Sequence, residues 1–327
     1  MRQPYLHRPL LVTAALMAVL VVVSSVGLVS DDRILLGVPI WLKPLKFAIS
    51  FVIYTATLAW LLSLVTSRRR TGWWLGTVIA ATGVIEMAII VGQAARGRRS
   101  HFNVGTSLDS TLFSVMGVTI VALWLATAGI AVLLMRERLP DRAIAMAIRL
   151  GLLVALGGLG VGFLMVTPTP EQAAAMGAGP PTVVGAHAVG VPDGGPGLPL
   201  VNWSTTGGDL RIGHFIGMHA LQAIPLLALV LTRLSRRSRR LRSERTRVRL
   251  VIVAAAGYAA LAALLTWQAL RGQSLIHPDT ATITAASVLL VALAAGTTWA
   301  LASTPVPGEG RDGEPTWALA DHGGAVA

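Results

Sequence analysis

Apolar positions in this chain form long runs separated by short polar connections. A helix needs about 20 predominantly apolar residues to cross the hydrocarbon core of a bilayer, and eight runs are close to that length or longer. They predict eight membrane-spanning helices and an all-α polytopic membrane protein. The predicted bounds are 10–28, 44–65, 73–95, 110–135, 143–166, 207–231, 250–270 and 280–302.

The composition agrees with this prediction. Hydrophobic residues make up 54% of the 327 residues and charged residues only 13%, about half the charged fraction of a soluble domain. The net charge of +12 is explained more simply by basic loops on the inner face of a membrane than by nucleic acid, so no nucleic-acid partner is predicted. The absence of cysteine excludes disulfides, thiolate metal sites and cysteine nucleophiles.

Arginine runs follow the second, fourth and sixth predicted spans. They occupy 68–70, 136–138 and 233–249, and the last of these holds nine arginines. Because basic loops stay on the cytoplasmic side, both termini are predicted to lie inside, in the inner membrane of a bacterium. Segment 233–249 is also predicted to bind anionic lipid. Loop 96–99 is basic yet falls on the outer side, which invites a functional interpretation.

Two segments lack any helical pattern. Residues 304–327 are rich in Gly and Pro and are predicted to form a disordered cytoplasmic tail. The outer connection 167–208 is about three times the upper end of ordinary loop lengths. It includes His187, Asp193, Asn202 and Trp203, and we expect it to form a partly ordered cap over the outer mouth.

Two short stretches suggest an internal repeat. The third span ends in Gln-Ala-Ala-Arg-Gly at 93–97 and the seventh in Gln-Ala-Leu-Arg-Gly at 268–272, while the entries 42–47 and 210–215 also correspond. We predict two parallel four-helix halves, 1–142 and 143–303, related by an axis along the membrane normal. The alternative is convergent use of Arg-Gly as a helix stop.

The sixth span has an unusually polar first half. If the span is a continuous helix, one face about 140° wide carries Arg211, His214, Met218, His219 and Gln222. Ionisable groups in hydrocarbon are costly unless they face the protein interior or a wet cavity. Gly213 and Gly217, on the adjoining face, have the GxxxG spacing that suits close helix contact.

Glu86 is predicted to lie near the middle of the membrane, about 15 Å below the outer end of the third span. An intramembrane carboxylate is a functional hypothesis by default, although it could instead be neutral or paired and only pack helices. His219 lies at a matching depth, so it or Gln222 is the expected partner, with Lys46 in competition. The alternative for His219 is a core histidine bonded to Gln222 or to a backbone carbonyl.

Basic residues gather at the outer end. Lys43 and Lys46 are the only lysines, and they could either face a ligand or snorkel to the interface. The arginines there could bind an anionic headgroup, carboxylate or phosphate, or form Arg–Asp pairs that hold helix ends. The full set of candidate ligand-binding residues is Lys43, Lys46, Glu86, Gln93, Arg96, His101, Asp209, Arg211, His214, His219, Gln222, Gln268 and Arg271.

Three stretches carry a resemblance to known sequences. They are Arg96-Gly97-x-x-Ser100-His101-Phe102-Asn103, Asp193-Gly194-Gly195-Pro196-Gly197-Leu198-Pro199 and Gly208-Asp209-Leu210-Arg211-x-x-His214-Phe215. Together they resemble a group of uncharacterised multi-pass membrane proteins from bacteria, of the actinobacterial type. The resemblance implies a membrane class and no activity. Eight helices in two halves are also similar in outline to haem A synthase, but that family's histidine motifs find no match here.

The sequence predicts an outward-facing polar cavity between the second, third, sixth and seventh spans. We expect it to bind a small polar or anionic ligand and to move it together with protons. The alternative is a membrane-embedded enzyme or redox protein that uses haem or a metal at the outer-side histidines. No metal site is assigned, because His214 and His219 are five residues apart, which suits joint chelation on a helix less well than a spacing of four.

Overall fold

The computed structural model describes residues 6–177 and 179–302. The helices are α1 (Arg8–Ser30), α2 (Leu42–Ser63), α3 (Arg69–Ala95), α4 (Ser107–Arg136), α5 (Arg142–Met165), α6 (Pro170–Ala175), α7 (Leu210–Met218), α8 (Ala220–Leu234), α9 (Arg239–Arg242), α10 (Glu244–Leu270) and α11 (Thr280–Ala302). Four two-residue strands are β1 (Ile34–Leu35), β2 (Val38–Pro39), β3 (Ala188–Val189) and β4 (Gly208–Asp209). The predicted tail 304–327 lies outside the described residues.

The helices have the length and surface of membrane spans. Within the described residues, seven are long and apolar enough to cross a bilayer, and α7 with α8 forms a bent eighth. Large apolar side chains such as Val118, Leu290 and Val291 are more than 60% exposed on the outside of the bundle. Such a surface fits hydrocarbon, so this is a multi-pass, all-α membrane protein, as the sequence predicts.

The two halves of the chain have the same helix neighbours. In the first half α1 packs on α2 and α3, α2 on α3, and α3 on α4. In the second half α5 packs on α7, α8 and α10, α8 on α10, and α10 on α11, while α4 and α5 join the halves. The matching neighbours agree with an internal repeat. They do not show that the two halves superpose, so the repeat stays a prediction.

The helix ends that suggested the repeat have the same local structure. Gly97 and Gly272 follow α3 and α10 with φ of +68° and +70°, a conformation in which a residue with a side chain is strained. The amides of Arg98 and Gln273 then donate to the carbonyls of Gln93 and Gln268. Both ends are therefore glycine-terminated caps in which the last helical carbonyls are satisfied.

The sixth span is not the continuous helix that the sequence predicts. It bends by 41° between α7 and α8, at His219. Pro225 lies inside α8; it lacks an amide donor, and its ring crowds the carbonyl of Leu221, which weakens the helix before it. The predicted polar face is therefore divided, and residues beyond the bend point in a different direction.

Small residues let α7 approach its neighbours closely. A Cβ on Gly217 would lie 2.5 Å from Cα of Gly158 in α5, and a Cβ on Gly213 would lie 2.1 Å from Oγ1 of Thr266 in α10. Both glycines of the predicted GxxxG pair are thus at helix contacts, which confirms that prediction.

The long connection between α5 and α7 folds into a cap. The short strands β3 and β4 pair antiparallel within it, with Ala188 opposite Asp209, and Val184 donates its amide to the carbonyl of Phe102 in the α3–α4 connection. The connection is therefore ordered over this end of the bundle, as predicted, and its place on the outer side stays a prediction. The end of the bundle that it covers is called the capped end below, and the other the arginine-rich end.

Candidate functional site

Two adjoining cavities lie at the capped end. The polar cavity, of about 110 Å³, is lined by α2, the α3–α4 connection, the cap and α7, and its charged or polar members include Lys43, Lys46, His101, Asp193 and Arg211. The apolar cavity, of about 370 Å³, lies beside it between α2, α3, α4, α5 and α7. Residues that line both are Phe47, His101, Phe102, His187, Arg211 and Phe215.

The first turn of α2 presents two lysines to the polar cavity. Nζ of Lys43 lies 3.1 Å from Nδ1 of His101, and Nζ of Lys46 donates to the carbonyl of Val201 in the cap at 2.9 Å. Each ammonium can make three hydrogen bonds. Both lysines therefore keep donors for a ligand.

Arg211 enters the polar cavity from the first turn of α7. Its guanidinium is held by Asp209, with Nη2 2.6 Å from Oδ2, and by the carbonyl of Asn202 at 2.5 Å. Asp209 is 1% exposed; it caps α7 and also accepts the amide of Ser204. The ion pair thus joins α7 to the cap and fixes the guanidinium at the cavity wall.

A histidine–aspartate pair from the cap completes the polar lining. Nδ1 of His187 donates to Oδ2 of Asp193 at 2.8 Å, and the amides of His187 and Ala188 donate to the same carboxylate. Burial would raise the pKa of Asp193, but the hydrogen bonds from His187 and from these amides hold it below its ordinary value. Asp193 is therefore ionised at neutral pH, and Nε2 of a neutral His187 is an acceptor.

The histidines add little positive charge near pH 7. Burial, and then the charge of Lys43, hold the pKa of His101 well below its ordinary value. Burial also lowers the pKa of His187, and its bond to Asp193 offsets this only in part. Because the Lys43 ammonium can only donate, Nδ1 of His101 accepts and the proton of the neutral ring is on Nε2.

The balance of charge around the polar cavity is positive. Five basic side chains line it: Lys43, Lys46 and Arg211, with Arg98 and Arg99 of the α3–α4 connection. The carboxylates of Asp193 and Asp209 are already engaged by His187 and Arg211. His187 is neutral, so the charge of Asp193 is hydrogen-bonded but not neutralised. The excess of basic side chains over the two carboxylates still gives a buried anionic group charge-assisted hydrogen bonds here.

Glu86 lies at the edge of the apolar cavity, 3% exposed, and its Oε2 is buried without a hydrogen-bond partner among the described residues. The direct hydrogen bond to His219 or Gln222 is not formed, and contact through water stays a prediction. The Nδ1 of His219 lies 3.2 Å from Oε1 of Gln222, whose amide reaches Thr57 in α2. Neither side chain is among the residues that line the two cavities.

The other predicted site residues fall into two groups. His214 lines the apolar cavity, with Nδ1 2.8 Å from the carbonyl of Gly158. Four others lie outside the lining of both cavities and organise helix ends. They are Gln93 and Arg96, bonded to Asp109, and Gln268 and Arg271, bonded to the carbonyl of Ser274 and to Asp279.

These Arg–Asp pairs confirm the structural alternative for Arg96 and Arg271. Arg211 is paired with Asp209 and also lines the polar cavity, and Arg98 and Arg99 of loop 96–99 line it too. The predicted cavity walls also need correction, because α4 and α5 line the apolar cavity and α10 supplies none of the lining residues of either.

Sequence reasoning missed several residues of the site. His187 and Asp193 were visible as polar residues of a long connection, but only folding brings them to Arg211. Phe47, Phe215 and Trp124 line the cavities as aromatic residues. Within apolar runs, no local signal separates such residues from those that face lipid.

Within the described residues, no group of three or more His, Asp or Glu side chains is placed to hold a metal ion. Comparison with protein-family models, curated proteins and solved structures finds no match to this chain. The interpretation of the site therefore depends on its own geometry.

Proposed function

We propose that this protein binds a small anionic ligand in the polar cavity, with Lys43, Lys46 and Arg211 as the recognising cations. The observation that carries the proposal is the convergence of these three charges on one cavity whose carboxylates are already engaged. Phosphate and carboxylate both suit such donors, and a guanidinium held rigidly at the wall favours directed hydrogen bonds.

We further propose that ligand movement is coupled to a proton, with Glu86 as the acceptor. Its Oε2 has no protein hydrogen bond among the described residues, and Lys43 is the charged neighbour whose field reaches it. The same lysine lies at the polar cavity. The broken α7–α8 span next to the cavity is a feature that membrane transporters use at their binding sites.

The proposed location is the inner membrane of a bacterium, with the capped end outside and both termini inside. Arginines crowd the opposite end, where a cavity is lined by Arg138, Arg142, Arg149, Arg245, Arg249 and one carboxylate, Glu244. Positive loops stay in the cytoplasm. The same cavity, with segment 233–249 beside it, is proposed to bind anionic lipid headgroups.

Single cysteines test the orientation, since the chain has none of its own. In intact cells, cysteine at Ser107 or Thr206 of the capped end is expected to react with a membrane-impermeant maleimide. Cysteine at Ser238 of the arginine-rich end is expected to react only after the membrane is permeabilised. The reverse labelling pattern would contradict both the orientation and an outward-facing site.

Replacement of Lys46 by glutamine tests the proposed binding. Purified protein in nanodiscs of uncharged lipid should bind inorganic phosphate or glycerol 3-phosphate in calorimetric titration. Because a hydrogen bond to a charged group contributes about 1.5–3 kcal/mol, Lys46→Gln is expected to weaken binding roughly tenfold or more.

The pH dependence of sulfate binding tests the histidines. Sulfate itself does not titrate in this range, and the pKa of both His101 and His187 is lowered. The affinity for sulfate should therefore show no histidine-dependent rise between pH 8 and pH 6.

Arg271→Gln is the matched control for Lys46→Gln. It also removes one positive charge at the capped end, but Arg271 pairs with Asp279 outside both cavities. Its affinity for the anion should stay within about twofold of wild type, because exposed charges are screened. Equal losses in the two variants would mean that the whole surface, and not the cavity, attracts the anion.

Catalysis at the same cavity is a second candidate function, and the His187–Asp193 pair is the observation that favours it. A carboxylate that holds Nδ1 of a histidine leaves Nε2 free to act as a general base. The redox form of this alternative would place haem or a metal at the capped-end histidines. A visible absorption spectrum and metal analysis of the purified protein separate that form from binding alone.

A further inference from the structure

The apolar cavity adjoins the proposed anion site. Phe47, Phe102 and Phe215 line both cavities, and Arg211 lies at the junction. Beyond the junction the walls become largely hydrocarbon and aromatic, with Phe51, Trp124, Phe163 and Met218. The volume of about 370 Å³ is within the range of cavities that enclose a small molecule. A ligand that filled only the polar cavity would leave this space empty.

Exposed residues of two helices line one side of the apolar cavity. They are Gly117, Ile120 and Val121 of α4 and Val166 at the end of α5. The part of the wall between α4 and α5 that they border is called the gap below.

Below this gap the two helices close together. Nε1 of Trp124 donates to the carbonyl of Leu156 at 3.0 Å, and its ring packs edge-on against Phe163. The gap therefore extends from Trp124 toward the capped end.

We propose that the ligand is an amphiphile that enters from the bilayer through this gap. Its anionic head would lie among Lys43, Lys46 and Arg211, and its hydrocarbon chain in the apolar cavity. The inference rests on the proposed anion site and adds the substrate class. A phosphate or carboxylate head fits equally; the chain is what separates a membrane amphiphile from a free soluble anion.

The order of the two cavities supports this assignment. A chain that comes from lipid meets hydrocarbon walls throughout the gap, so it never crosses a polar surface. The head reaches the cations near the capped end, at the level where lipid headgroups lie. A soluble anion would gain nothing from an apolar chamber next to lipid, since desolvating an ion there is costly.

Gly117→Leu tests the inference by filling the chamber. Gly117 lines the cavity, and a Cβ there meets no atom within 4 Å, so we expect the larger side chain to occupy part of the cavity and leave the fold in place. Gly157→Leu is the matched control, because Gly157 is also an exposed helical glycine with open space around it but lies outside both linings. Both changes favour the helix to a similar degree.

The measurement is displacement of labelled glycerol 3-phosphate from protein in nanodiscs of uncharged lipid. The competitors are unlabelled glycerol 3-phosphate and its 1-octanoyl ester. Each buried methylene adds about fourfold in affinity, so the ester should displace the label at concentrations at least about 30-fold lower. Gly117→Leu should lose most of this preference while it still binds glycerol 3-phosphate, and Gly157→Leu should keep it.

Two failures remain distinguishable. If labelled glycerol 3-phosphate and labelled phosphate show no saturable binding, the anion site itself is wrong and this inference falls with it. If they bind but the octanoyl chain brings no advantage, or if Gly117→Leu keeps the full advantage, the soluble-anion function stands and the amphiphile is excluded. Comparing the two glycine variants in the same lipid removes the effect of partition into the nanodisc.

Discussion

Replacing Gly158 by alanine is expected to destabilise the protein by about 3 kcal/mol or more. A Cβ at this position would lie 2.3 Å from the carbonyl carbon of Gly217 and the amide nitrogen of Met218. These are backbone atoms, which cannot rotate away, so α5 and α7 must separate. Forced overpacking of this kind usually costs about 1–3 kcal/mol and sometimes more.

The same substitution should also disturb the site. The carbonyl of Gly158 lies 2.8 Å from Nδ1 of His214, and α7 carries Arg211 to the polar cavity. The measurement is thermal unfolding of the purified protein, followed by size-exclusion chromatography after heating. Gly157→Ala is the control, because that neighbouring glycine faces open space and should become slightly more stable through helix propensity. Equal stability of the two variants would contradict the close contact of α5 and α7.

Asp209→Ala is expected to cost about 3 kcal/mol, the lower end of the range for a buried pair, because it leaves the half-buried Arg211 without its counter-ion. The carboxylate caps α7 by accepting the amide of Arg211, and it also accepts the amide of Ser204 and two N–H groups of the guanidinium. Four donors therefore lose their partner together. Asp209→Asn keeps an acceptor oxygen and should cost less. In the folded fraction of the asparagine variant, the guanidinium is released from its counter-ion, and phosphate should bind several-fold more tightly.

Asp279→Ala is the control for this prediction. Asp279 likewise pairs with an arginine, Arg271, and accepts an amide from the first turn of a helix, that of Thr282. Its side chain is 39% exposed, so solvent replaces much of what is lost and the pair contributes no more than about 1 kcal/mol. A loss of stability in Asp209→Ala no larger than in Asp279→Ala would refute the role assigned to the buried pair.

The sixth span shows which features the pattern of apolar and polar residues predicts and which it does not. The approximate bounds of the span, its polar first half and its close-packing glycines follow from residues that are near one another in the chain. The bend at His219 does not, although Pro225 signals that the helix is weakened. The predicted partnership of Glu86 with His219 assumed a continuous helix, and the bend changes the direction of the residues that follow it.

The Arg–Asp pairs also separate what the sequence predicts from what only the folded structure decides. The excess of charge at one end, and the likeness of the ends at Gly97 and Gly272, are visible in the sequence. Which arginine faces a cavity depends on the cap: Arg211 is drawn to the cavity wall by Asp209 and Asn202, whereas Arg96 is held by Asp109 outside it. Nothing in the local pattern separates the two.

The sequence by itself determined the membrane class, the approximate bounds of the spans and the end at which polar residues gather, because hydropathy and charge act locally along the chain. Only the tertiary structure decided the cavity walls and the place of the His187–Asp193 pair. The spans are apolar on nearly every side, so burial in protein and exposure to lipid leave the same composition. The inward face is then chosen by the packing of small residues and by contacts between distant segments, as at Gly158 and Gly217.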